Sequence, residues 1–153
     1  MSIFCLKKKQ FLPINIETAW KFISDPKNLN KITPPEMEFE TTSEVPDNMY
    51  AGLIITYKVR PLFGIPVNWV TEITQVNEPY YFVDEQRFGP YSFWHHSHFL
   101  KKVGGGVEME DIVYYKLPFG LLGKFIEAIL VRKKLEQIFS YRKNVLEKLF
   151  NAQ

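Results

Sequence analysis

The chain has 153 residues, a formal net charge of +2, 46% apolar and 16% aromatic content. That length suits a single domain, 1–153, that buries a sizeable core without covalent staples. The near-neutral charge argues against nucleic-acid partners, the lone Cys5 excludes an intrachain disulfide, and no apolar run approaches the ~20 residues of a membrane span.

In chain order, Phe4 to Leu12 reads as a first strand ended by Pro13. Asn15 is placed to cap a helix over Ile16 to Ile23, which Asp25-Pro26 breaks. A second short helix around Lys27 to Ile32 runs into Thr33-Pro34-Pro35 and stops. Six segments rich in β-branched and aromatic residues follow: Met37–Val45, Leu53–Val59, Val67–Val76, Tyr80–Phe88, Phe93–Val103 and Val107–Leu117. Short turns between them, such as Asn77-Glu78-Pro79 and Gly104-Gly105-Gly106, imply an antiparallel meander. After Pro118-Phe119-Gly120 the period changes, and Leu122, Phe125, Ile129, Leu135, Ile138, Arg142, Val145 and Leu149 mark an amphipathic helix. Unbroken, it would be about 45 Å long, so a bend is expected around Gly120 to Gly123. The predicted class is α+β, a curved antiparallel sheet wrapped around the last helix.

All three histidines lie in Trp94-His95-His96-Ser97-His98. Strand alternation puts Trp94, His96 and His98 on one face and His95 and Ser97 on the other. A two-residue turn within Gly104-Gly105-Gly106 brings Asp111, Val113 and Tyr115 to the face of His98, His96 and Trp94. An odd loop through Gly89-Pro90-Tyr91 sets Asp84 opposite His98 and Gln86 opposite His96. Facing inward, two histidines and two carboxylates are enclosed and need partners, an arrangement suited to ligand recognition or acid–base chemistry. Facing outward, the same row is a solvated polar face. His96 and His98 have metal-compatible spacing, with Asp84 or Asp111 to complete a shell. No recognised zinc spacing occurs, however, so neither a metal nor another cofactor is expected. Ser97 lies on the wrong face for a hydrolytic triad.

Phe82-Val83-Asp84-Glu85-Gln86, Gly89-Pro90-Tyr91, Trp94-x-His96-x-His98-Phe99, Asp111-x-Val113-x-Tyr115, Pro118-x-Gly120 and Phe139-x-Tyr141-Arg142 together resemble a branch of the START-like superfamily, also called SRPBCC, near the polyketide cyclase/dehydrase group. The resemblance spans essentially the whole chain, including Asn15, Ala19 and Trp20. It implies a helix-grip fold: a seven-stranded curved antiparallel sheet around a long C-terminal helix, two short helices after the first strand, and a cavity between sheet and helix. It also implies a small hydrophobic, lipid- or polyketide-like ligand in that cavity.

The leading expectation is binding. Tyr57, Trp69, Trp94 and Tyr115 would form the walls, while Asp84, Gln86, His96, His98 and Asp111 would meet the ligand's polar group. Arg142 would pair with a sheet carboxylate or hold an anionic ligand group. A cyclase/dehydratase-like enzyme, with His96 or His98 as general base oriented by Asp84 or Asp111, is the second reading, and a protein-interaction module with a closed core is the third. The apolar stretch Leu121 to Val131 would serve as a lid or a homodimer contact. The N-terminal Met1 to Leu6 is too short for a signal peptide, so a cytoplasmic location is expected.

Overall fold

Alternating β-branched and aromatic residues drive seven segments into strands. The computed structural model describes residues 3–151, apart from the side chains of 123, 124 and 128. In chain order its elements are β1 (Phe4–Leu12), α1 (Ile16–Ile23), β2 (Glu40–Thr41), β3 (Ile54–Val59), β4 (Val67–Asn77), β5 (Tyr81–Phe88), β6 (Phe93–Val103), β7 (Gly106–Lys116), α2 (Gly120–Ile126) and α3 (Arg132–Phe150). The strands form one antiparallel sheet in the order β1-β7-β6-β5-β4-β3-β2. The seventh strand thus returns beside the first and the meander wraps onto itself. Register shifts in the β4–β5 ladder at Val70/Thr71 and Ile73/Gln75 bend and twist the strands there, curving the sheet.

The Asn15 cap forms as expected: its side-chain oxygen accepts from the Thr18 amide at 2.7 Å. Asp25 does the same for Lys27 at the start of a 3₁₀ helix, Pro26–Ile32. The expected strand Met37–Val45 is much shorter. Pro35–Met37 closes a second 3₁₀ turn and Glu38 adopts φ 43°, so ladder pairing begins only at Glu40. Prolines cannot donate to a ladder, and the left-handed residue turns the chain away from it.

Helical conformation persists from Gly120 to Phe150. The expected bend falls at the very start of the helix, where Phe119 and Gly120 have φ of 69° and 55°, and the helix then runs on without a break. The departure from α geometry comes later, as a π-helical turn over Glu127–Val131. Among the described residues, no helix is long and apolar enough to cross a membrane.

The apolar interior falls into three clusters. Leu12, Ile16, Trp20, Phe82, Met109 and Leu146 close one end of the grip. Leu6, Val113, Tyr115, Val131, Leu135 and Phe139 join α3 to β1 and β7. Leu53, Ile55, Tyr57 and Ile73 line the far wing of the sheet. Between these clusters the sheet and α3 do not meet, and a cavity of about 240 Å³ remains.

Candidate functional site

The inward row of β6 carries Trp94, His96 and His98, and both imidazoles are buried. Two glycines make the expected two-residue turn: Val103 pairs with Gly106, and His98 falls opposite Asp111, His96 opposite Val113, Trp94 opposite Tyr115. On the other side, Asp84 lies opposite His96 rather than His98, two residues from the expected register. The observed register centres the hairpin on Pro90, as three loop residues Gly89-Pro90-Tyr91 require, whereas Asp84 opposite His98 would need two more. The Gln86 side chain straps this loop, donating to the Tyr91 carbonyl at 2.6 Å and accepting from the Tyr91 amide at 3.2 Å.

The result is a closed polar cluster in an otherwise apolar wall. His98 Nε2 hydrogen-bonds Asp84 Oδ2 at 2.7 Å, and His96 Nε2 hydrogen-bonds Asp111 Oδ1 at 3.0 Å. The remaining ring nitrogens also face carboxylates: His96 Nδ1 is 3.6 Å from Asp84 Oδ2 and His98 Nδ1 is 3.1 Å from Asp111 Oδ1, the latter out of line for a hydrogen bond. From α3, Arg142 brings a guanidinium nitrogen to 3.4 Å from the same Asp111 oxygen, while its Nε has no hydrogen-bond partner. The imidazoles stack on each other with centroids 3.7 Å apart, and His98 stacks on Phe82 at 4.1 Å.

These contacts set the charges. Burial pushes the Asp111 carboxyl up, but Arg142 and the two imidazoles override it and hold the group well below the usual carboxylate range. Burial opposes ionisation of Asp84 too, and His96 and His98 overcome it. The histidines diverge. Burial and the neighbouring His98 lower His96, whereas for His98 the adjacent Asp111 and Asp84 carboxylates outweigh burial and raise it.

Of the ten residues singled out in the sequence, Tyr57, Trp69, Asp84, Trp94, His96, His98 and Arg142 line the cavity. Three do not. Gln86 is spent on the loop, and Asp111 stands behind the imidazoles as their partner. Tyr115 is 1% exposed and donates its hydroxyl to Glu127 Oε1 at 2.8 Å. Glu127 itself is buried at the π-helical turn and is shared with Arg132 Nε at 3.1 Å. Sequence reasoning missed Glu127, because a π turn leaves no periodic signature.

It also missed Tyr91 as a wall. This residue makes a ring cluster with Trp69 and Trp94, with centroids 4.8 to 5.6 Å apart. Its place in a Gly-Pro-Tyr turn reads as a loop residue. Phe139, whose ring lies 5.8 Å from His96, forms part of the opposite wall.

No protein-family model and no curated protein matches the sequence. Solved structures match it along nearly its whole length. A protein from Thermus thermophilus superposes with a TM-score of 0.72 at 16% identity, covering 95% of each chain. A START superfamily protein from Mycobacterium smegmatis gives 0.71 at 14%, covering 95% of this chain and 98% of the other. Ginseng major latex-like protein 151 from Panax ginseng gives 0.70 at 10%, covering 97% of each. Sheet order, gripped helix and these superpositions agree: the chain has the START-like (SRPBCC) helix-grip fold.

Proposed function

We propose that the protein binds a small, largely apolar molecule carrying one polar group, held between the sheet and α3. The observation that carries this reading is the cavity itself. Leu29, Ile55, Leu135 and Phe139 contribute apolar walls, Trp69, Tyr91 and Trp94 an aromatic one, and the polar groups gather at Asp84, His96, His98 and Arg142. Apolar surface supplies affinity, and a few fixed polar groups orient the guest. The resemblance to the START-like superfamily carried by the sequence motifs implies a lipid- or polyketide-like guest.

Pro61, Leu62, Pro90, Tyr91 and Leu117, from the segments that end β3, β5 and β7, line the cavity at one end of the sheet. The chain enters α2 just after Leu117, and Leu121, Leu122 and Phe125 there are exposed, an apolar surface suited to an apolar molecule. Native mass spectrometry of protein purified from cells is expected to show a retained small molecule, and an apolar fluorescent probe should bind and be displaced by it. A chain that carries no guest and takes up no probe would refute the reading.

A catalytic role draws on one specific observation. His96 Nδ1 stands beyond hydrogen-bond distance of Asp84, in a residue that lines the cavity, while Asp111 holds the other ring nitrogen. That arrangement suits a general base for cyclisation or dehydration of a polyketide-like guest. Turnover lost in His96→Gln with probe binding retained would support it.

A further inference from the structure

The ring nitrogens converge in a way that hydrogen bonding alone does not explain. His96 Nδ1 and His98 Nε2 both turn toward one oxygen, Asp84 Oδ2, at 3.6 and 2.7 Å. Their outer nitrogens, His96 Nε2 and His98 Nδ1, both turn toward one oxygen of Asp111, at 3.0 and 3.1 Å. An imidazole whose outer nitrogen carries the proton presents a lone pair on its inner one. His96, held at Nε2 by Asp111, presents such a lone pair on Nδ1 toward Asp84 Oδ2. His98 presents a second one on Nε2 once a metal displaces the proton shared with Asp84. A proton satisfies the His98–Asp84 contact, but at 3.6 Å it leaves His96 unserved.

We infer that Asp84, His96 and His98 form a binding site for a divalent transition-metal ion, with zinc as its natural fit. The three side chains offer donor atoms within 4.8 Å of one another. Donors at the usual ~2.0–2.1 Å from a tetrahedral zinc stand roughly 3.3–3.5 Å apart. The His96–Asp84 separation already meets this, and a small rotation of the Asp84 carboxylate opens the shorter one. Two nitrogens and one oxygen suit zinc, cobalt or iron rather than calcium or magnesium.

The fold builds this set in one place. A His-x-His pair on one strand projects both imidazoles to the same face, and the directly paired residue on the next strand is Asp84. Asp111 then acts as the outer carboxylate that fixes the His96 ring through its far nitrogen and lies beside that of His98, and Arg142 braces it. The sequence offers either Asp84 or Asp111 to complete a shell but shows no recognised zinc spacing; the strand register makes Asp84 the donor and Asp111 the outer partner.

Charge and access agree. Two carboxylates and one guanidinium leave a single negative charge that a divalent ion overcompensates, so the metal would keep affinity for an anionic oxygen. All three donor residues line the cavity, so the remaining coordination position would face the guest. This inference stands on the polar cluster and does not require the apolar guest.

The test uses the full chain, stripped with a chelator and dialysed, then titrated with cobalt(II). One equivalent should bind with visible d–d absorption and be displaced by zinc. Asp84→Asn and His98→Gln should abolish binding, and Asp111→Asn should weaken it roughly 10–100-fold. His95→Gln, on the opposite face beside Glu85, should change nothing. Circular dichroism of each variant separates lost metal from lost fold. No uptake by the folded wild type at micromolar metal, or an equal loss in His95→Gln, would overturn the inference. Stripped protein that still takes up the apolar probe but no metal would sink this inference alone.

Discussion

Replacing Asp111 by Asn tests the buried cluster most directly. The side chains of Asp111 and Arg142 are each only 10% exposed, and their closest atoms are 3.4 Å apart. The substitution preserves shape and leaves the guanidinium buried without its counter-charge. Breaking a buried pair from one side costs ~3–5 kcal/mol. The pair lacks an aligned hydrogen bond, and Asn retains an acceptor for His96, so about 3 kcal/mol is the expected loss in metal-free protein. For a chain of this size each kcal/mol moves Tm by ~2–4 °C, which gives a drop of roughly 6–12 °C. Arg142→Met in the same background should recover much of it, because the orphaned charge is removed along with its partner. Urea unfolding of wild type, both single variants and the double variant gives the coupling energy directly. Additive losses, or a drop below about 1 kcal/mol for Asp111→Asn, would mean that the pair carries no weight and that the cluster is held by the imidazoles alone.

Other outcomes follow from named contacts. Tyr115→Phe removes the donor to buried Glu127 and should cost ~1–3 kcal/mol by chemical denaturation, with cavity binding unchanged. Gly106→Ala would place a methyl 2.2 Å from the Leu12 carbonyl oxygen. It should destabilise by ~1–3 kcal/mol by loosening the seam between β1 and β7, whereas Gly104→Ala, with nothing near its Cβ, should cost less. In metal-free protein the imidazoles facing Asp84, Asp111 and Arg142 should titrate on opposite sides of about 6.5, His98 above and His96 below, as followed by imidazole NMR shifts. His98 therefore contributes stability that is full below about 6.5 and fades as pH rises through its folded value; the His96 contribution is present above about 6.5 and lost as pH falls. Both imidazoles titrating together would refute the asymmetric cluster.

How far the sequence reveals this site depends on what sets each contact. Period-two alternation placed His96 and His98 on one face, and the Gly104-Gly105 turn fixed Asp111 opposite His98, because a tight hairpin ties register to its loop. Asp84 kept the right face but the wrong position, because the expected register counted a loop two residues longer than the Gly89-Pro90-Tyr91 turn that the strands close on. The helix was legible from its apolar stripe, with Arg142 visible as the break in it. The π turn at Glu127–Val131 was not, and with it went the partner of Tyr115. Backbone periodicity is thus readable from the chain, while polar side-chain pairings across elements depend on tertiary geometry.

The energetics of the cavity lead to one last expectation. At ~24 cal/mol per Å³ a dry void of about 240 Å³ would cost about 6 kcal/mol, a large share of the ~5–15 kcal/mol that holds a domain together. Water can offset part of this beside Asp84 and the histidines, where it finds polar partners, but gains little against Leu135, Phe139 and Ile55. The apolar half of the cavity is therefore destabilising until a guest fills it. Removing a bound guest by extraction in organic solvent and refolding should lower Tm, and adding it back at 100 times Kd should restore about 2.7 kcal/mol, a rise of roughly 5–11 °C. The rise should survive in His95→Gln and shrink in Leu135→Ala, which removes part of the apolar wall. A Tm that stays unchanged on extraction and re-addition, with the guest's release verified by mass, would show that the molecule never occupied this cavity.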